Sequence, residues 1–140
     1  MKNSLKMEFD SKSVNEGFAR SAVAAFVAQR DVTIEEMADI KTAVSEAVTN
    51  AIVHGYEGMD GTVRVLVSIE DANVTICVDD DGVGIEDIRR AREPLFTTRP
   101  EEERSGMGFT IMESFMDSLH IVSEKGKGTS VTMTKKLKER

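Results

Sequence analysis

The sequence holds a single cysteine, Cys77, and only two prolines. A lone cysteine excludes an intramolecular disulfide and suits a reducing compartment. Cys77 falls in a strand-like stretch, where a small buried apolar residue is expected. Long apolar runs are missing, and none approaches the roughly 20 residues of a membrane helix. No charged-then-apolar segment at the start resembles a secretory signal. Clustered positive charge is scarce: beyond Lys135-Lys136-Leu137-Lys138 there is no basic run, and the net charge is −7. A nucleic-acid surface needs clustered cations to displace counterions, so direct nucleic-acid binding is not expected. These absences predict a cytoplasmic protein with neither a membrane nor a nucleic acid as partner.

What is present fits one domain spanning residues 1–140, with 40% hydrophobic and 31% charged residues. Leu5, Met7 and Phe9 alternate with polar residues and predict a first strand. Ser13-Val14-Asn15-Glu16 has the form of a capping box and predicts a helix to about Gln29, with Phe18, Ala22, Ala25 and Phe26 as its apolar positions. Thr33-Ile34-Glu35-Glu36 is a second such box, opening a longer helix that runs to about His54 and stops before Gly55. Met37, Ile40, Val44, Val48 and Ala51 form its apolar stripe. Alternating stretches from Thr62 to Ile69 and from Asn73 to Asp79 predict a hairpin, followed by a short helix over Glu86–Arg92. Gly108–Asp117 predicts a buried helix, and Leu119–Ser123 with Thr129–Thr134 a closing hairpin. The order is strand, two helices, two strands, two helices, two strands. It predicts an α+β two-layer sandwich, a mostly antiparallel sheet with helices on one face.

Four places carry possible chemistry. Glu46 and Asn50 lie four apart on one helix face, away from the apolar stripe. They are either a solvated face, or a carboxylate base beside an amide oxygen that suits magnesium. His54 continues that face, as a cation at the helix end or as a ligand contact. Asp79-Asp80-Asp81-Gly82-Val83-Gly84 follows a strand. It reads as a turn, as a poorly completed calcium loop, or as an acid for an adenine amino group with glycines admitting the base. Arg104-Ser105-Gly106-Met107-Gly108 precedes the Phe109 helix, as an ordinary helix entry or a phosphate cradle. The polar stretch between, about residues 94–107 and including Thr98, is either a surface loop or a lid.

In this order the motifs resemble the ATP-binding domain shared by gyrase-type topoisomerases, Hsp90-type chaperones, sensor histidine kinases and MutL-type repair proteins. Glu46-Ala47-Val48-Thr49-Asn50, Asp80-Asp81-Gly82-Val83-Gly84, Gly106-Met107-Gly108 and Gly128-Thr129 stand in its four boxes. The stretches from Ser45 to Tyr56, from Pro94 to Glu101 and from Glu103 to Glu113, with Phe18-Ala19-Arg20, are similar to the small anti-sigma-factor serine kinases, above all those of spore-forming bacteria. The loop at 57–60 is shorter than in that pattern, and Asp79 stands where a basic or neutral residue is expected.

The resemblance implies a Bergerat-type ATP-binding fold and a homodimeric protein serine kinase using ATP and Mg²⁺. Such a protein sequesters a sporulation sigma factor and phosphorylates a serine of an anti-anti-sigma factor. A stress-response sigma factor, or an ATP-gated module without catalysis, fits the same boxes. Glu46 and Arg104 are implied as catalytic, Asn50 as the Mg²⁺ ligand, and Arg20 as a partner contact. ATP contacts are implied for Asn50, His54, Asp80, Gly82, Gly84, Thr98, Ser105, Gly106, Gly108, Phe109 and Thr129. The first strand and first helix are the expected dimer interface. A histidine-kinase catalytic half is disfavoured, because neither His54 nor His120 sits on a dimerising helical hairpin.

Overall fold

The computed structural model describes residues 2–93 and 108–138. Strand β1 (Lys2–Asp10) leads into helices α1 (Val14–Val27) and α2 (Ile34–Thr49), and α2 runs on into a π-helical turn over Asn50–Gly55. The hairpin β2 (Thr62–Glu70) and β3 (Asn73–Asp80) follows, then α3 (Ile88–Ala91), α4 (Phe109–Phe115), and the hairpin β4 (Ser118–Glu124) and β5 (Gly128–Lys136). All strand pairs are antiparallel, in the order β1-β2-β3-β5-β4. The expected two-layer α+β architecture holds.

Period-two alternation decides which side of the sheet is covered. Val63, Val65, Val67 and Ile69 on β2, Val74, Ile76 and Val78 on β3, and Val131 and Met133 on β5 are buried beneath the helices. Their neighbours Arg64, Thr75, Cys77, Ser130 and Thr132 lie on the opposite, partly exposed face. Cys77 is therefore not a core residue: its Sγ lies 3.3 Å from Ser130 Oγ on the open face. The apolar character of a strand does not say which face a residue takes; the register does.

Helix α2 is the central element of the helical layer. Ile40, Val44 and Val48 are fully buried, each contributing about 1.5–3 kcal/mol by its removal from water. Its cap is a reciprocal box: Thr33 Oγ1 accepts from the Glu36 N–H at 3.0 Å, and Glu36 Oε1 accepts from the Thr33 N–H at 2.9 Å. A cap contributes about 1 kcal/mol, so packing rather than capping holds this helix.

Helix α1 departs from expectation in two ways. Ser13 makes no side-chain cap. The Glu16 carboxylate is engaged elsewhere, accepting from Arg20 at 3.0 Å and from Ser45 at 3.1 Å, which ties α1 to α2. The buried stripe is Ala19, Val23 and Val27, while Phe18 and Ala25 are exposed. Both stripes have helical spacing, and only contact with α2 chooses between them.

The basic tail is part of the fold. Lys135 Nζ donates to the Phe115 carbonyl at 2.8 Å and pairs with Asp39, Leu137 is buried, and the Lys138 N–H donates to Glu36 Oε2 at 2.8 Å. Among the described residues, no helix is long and apolar enough to cross a membrane.

Candidate functional site

The strand order creates the site. Because β4 and β5 form a hairpin that folds back, β5 enters the sheet beside β3 and pairs Asp80 with Thr129. Between this strand end, the π-helical turn and α4 lies a narrow cleft. Asn50, His54, Asp80, Gly84, Phe109 and Thr129 line it, as do Ala51, Gly55 and Ile85. Residues far apart in sequence thus meet around one cavity.

The widened turn is what brings the helix end into this cleft. A continuous α-helix to His54 is expected from the sequence; instead the Tyr56 N–H donates to the Ala51 carbonyl, five residues back, at 3.2 Å. Such turns are uncommon and concentrate at functional sites. The turn buries Asn50, Ala51 and Ile52 and turns the Gly55 carbonyl toward the acidic loop, where it accepts from the Val83 N–H at 2.8 Å. Tyr56 fixes the same loop through its hydroxyl, which donates to the Thr62 carbonyl and accepts from the Asp81 N–H at 2.8 Å.

The three consecutive acids have different surroundings. Asp80 is only 6% exposed. Its Oδ1 accepts from the Gly82 N–H at 2.8 Å. Burial pushes its carboxyl above the ordinary value, against the hydrogen bonds from the Gly82 and Thr129 backbones. Asp79 and Asp81 turn to the open face, where Arg64 holds both: Nε donates to Asp79 Oδ2 at 2.7 Å, and the two terminal nitrogens donate to Asp81 at 2.8 and 2.9 Å. The Arg64 guanidinium holds the Asp81 carboxyl below its ordinary value. Of the three, Asp80 alone faces the cleft, and Asp79 is half of an ion-pair clamp rather than a cleft residue.

Glycine is required where backbone meets backbone. A Cβ on Gly82 would collide with the Gly55 carbonyl, and one on Gly128 with the Asp80 carbonyl. Gly84 (φ 76°) presses on the Glu124 carbonyl in the same way.

One helical turn before Asn50, Glu46 is half-buried on α2, and Asn50 is 7% exposed, so this is no solvated helix face. Burial, with the nearby Glu16 carboxylate as the lesser cause, raises the Glu46 carboxyl above its ordinary value. Gly108, in the left-handed region at φ 73°, opens α4 against the Glu46 side chain, leaving no room there for a Cβ. Arg20 lies between the helices, donating to Glu16 and to Ser45 at 3.2 Å. Thr98, Arg104, Ser105, Gly106 and the stretch expected as a lid lie outside the described residues.

Arg64, Tyr56, Gly55 and Ser123 also build the site, although none of them is a site candidate from the sequence alone. Arg64 carries a signal, the one cation in its alternating strand. Gly55 read only as a helix stop, and Ser123 had no signal.

Residues 9–135 match the model of the histidine kinase-like ATPase domain. A Clostridium perfringens protein named anti-sigma F factor is 59% identical, covering 98% of this chain and 99% of its own. A Clostridium botulinum protein of the same name is 62% identical, covering 96% and 94%. The chain belongs to the histidine kinase-like ATPase family, in its anti-sigma F factor branch.

Solved structures show the same fold for this anti-sigma F family member. The RsbU and RsbW domains of a Mycobacterium tuberculosis protein superpose with a TM-score of 0.70 at 22% identity, covering 99% of this chain, which spans 33% of that one. The catalytic domain of the histidine kinase ThkA gives a TM-score of 0.60 at 14% identity, covering 95% and 96%. Membership in this ATPase family makes ATP the ligand of the domain.

Proposed function

We propose that this chain is an ATP-dependent anti-sigma factor that binds and restrains a sporulation sigma factor and phosphorylates a serine of an anti-anti-sigma partner. The observation that carries the reading is the buried, hydrogen-bonded Asp80 carboxylate beside Thr129 in a cleft that Asn50 also lines, one helical turn beyond Glu46. The relatives' shared name adds the sigma factor.

In this reading Asp80 accepts a hydrogen bond from the adenine amino group. Gly82 and Gly84 let the base approach the backbone. His54 and Phe109 flank the cleft. The phosphates extend toward Gly108, where Gly106, Ser105, Thr98 and the Arg104 cation hold them. Asn50 offers one hard amide oxygen, which fits magnesium, a metal that shares phosphate oxygens and keeps waters. Magnesium, when bound, supplies charge neutralisation on the phosphates. Glu46 takes the proton of the partner's serine hydroxyl as that oxygen bonds to the γ-phosphorus and the bond to ADP breaks. A raised carboxyl suits it as a base near neutral pH. Arg20 contacts a partner, residues 94–107 close over the nucleotide, and the protein works in the cytoplasm as a homodimer paired through β1 and α1.

The test is incubation with labelled ATP and an anti-anti-sigma protein, alongside capture of sporulation and stress-response sigma factors in ATP and in ADP. Expected are label on a partner serine and ATP-dependent retention of the sporulation sigma factor. Retention without transfer would reduce the protein to an ATP-gated binding module, and retention of the stress-response factor would move the partner.

A further inference from the structure

Ser123 lies on β4, paired across the hairpin with Thr129 and outside every recognised motif. Its Oγ meets three groups. The Ile85 N–H donates to it at 2.7 Å. Its own hydroxyl donates to the Gly128 carbonyl at 3.0 Å. Thr129 Oγ1 lies 2.8 Å away.

A serine hydroxyl has one proton and two lone pairs. Its proton goes to Gly128 and one lone pair to Ile85, so the bond to Thr129 has to be donated by Thr129. This commits the threonine proton away from the cleft and leaves Thr129 Oγ1 an acceptor toward it. The Asp80 carboxylate beside it is an acceptor too, held by the Gly82 N–H. This part of the cleft therefore presents two acceptors side by side.

We propose that Ser123 is a positioning residue for base selection, holding the Thr129 hydroxyl as an acceptor so that the cleft takes a base with an exocyclic amino donor and rejects one with a carbonyl there. This rests on the assignment of Asp80 and Thr129 to the base. Adenine carries the donor and guanine the carbonyl. In Ser123→Ala the Thr129 proton is free to rotate into the cleft and meet a carbonyl.

The experiment titrates the full chain with ATP and with GTP by calorimetry, for wild type, Ser123→Ala, Ser123→Thr, Thr129→Val and the Ser123→Ala/Thr129→Val pair. Wild type is expected to prefer ATP, and Ser123→Ala to lose about tenfold of that preference, the worth of one hydrogen bond. Ser123→Thr, which keeps the hydroxyl, is expected to retain it. Adding Ser123→Ala to Thr129→Val is expected to change the preference no further, which a merely structural serine would not produce. The proposal is overturned if Ser123→Ala keeps the wild-type ratio, or shifts it equally with and without the Thr129 hydroxyl. If Ser123→Ala does not fold, an unchanged ratio in Thr129→Val overturns it. Asp80→Ala binding ATP as wild type does is a separate result that removes the base assignment beneath it.

Discussion

The two ends of the candidate site are built by different means. At the Asp80 end backbone meets backbone: Gly82, Gly84 and Gly128 leave no space for a Cβ, and Tyr56 and Ser123 tie the loops together. At the Glu46 end a half-buried side chain stands on a regular helix, its carboxyl raised by burial and by Glu16. The first end is set by shape and fixed acceptors, so it discriminates. The second is set by charge and solvation, so it can be tuned without moving the chain.

Substitutions should separate the two ends. The largest effect is expected for Glu46→Gln, which removes the proposed base: serine phosphorylation falls by about 10²–10⁴, while ATP affinity stays near wild type. Labelled transfer measured beside calorimetry checks this, and transfer at the normal rate would remove Glu46 from that role. Asp80→Ala should do the reverse at the other end. Losing a hydrogen bond to a charged group is expected to weaken ATP binding by roughly 10- to 150-fold with the fold retained, as calorimetry and circular dichroism would show.

Gly82→Ala tests whether the Asp80 end is held by shape. Its methyl meets the Gly55 carbonyl, so a stability loss of roughly 1–3 kcal/mol is expected in urea unfolding. A neutral Gly82→Ala would break the contrast between the ends. Arg64→Ala should cost less than about 1 kcal/mol, because the clamp is partly exposed. The loss should shrink further in high salt.

The smallest effect concerns pH. The folded-state carboxyl of Glu46 is raised, so its ionised form costs stability above that value and nothing below the ordinary glutamate range. Glu46→Gln is therefore expected to melt slightly higher than wild type at pH 8. The difference should vanish as the pH falls below the ordinary glutamate value. A gap that widened in acid would reverse the assigned sign.

Much of this was legible in the sequence, because periodicity and end signals are local. The order of strands and helices, the Thr33 cap and the β2–β3 hairpin follow from apolar spacing and turn chemistry. The site motifs were visible as spacings: Glu46 with Asn50, Asp80 with its glycines, Gly128 with Thr129. Spacing alone did not separate function from ordinary helix and turn. Tertiary structure decided where faces compete. It chose Ala19, Val23 and Val27 over Phe18 and Ala25 on α1, and it put Cys77 on the open face. It opened the end of α2 into a π-helical turn so that Gly55 reaches Val83. It gave Asp79 and Asp81 to Arg64 and Asp80 to the cleft, because alternate residues of a strand point to opposite sides. Ser123 gained its role only when β5 folded back beside β3, since a hydroxyl's proton is assigned by all its neighbours at once.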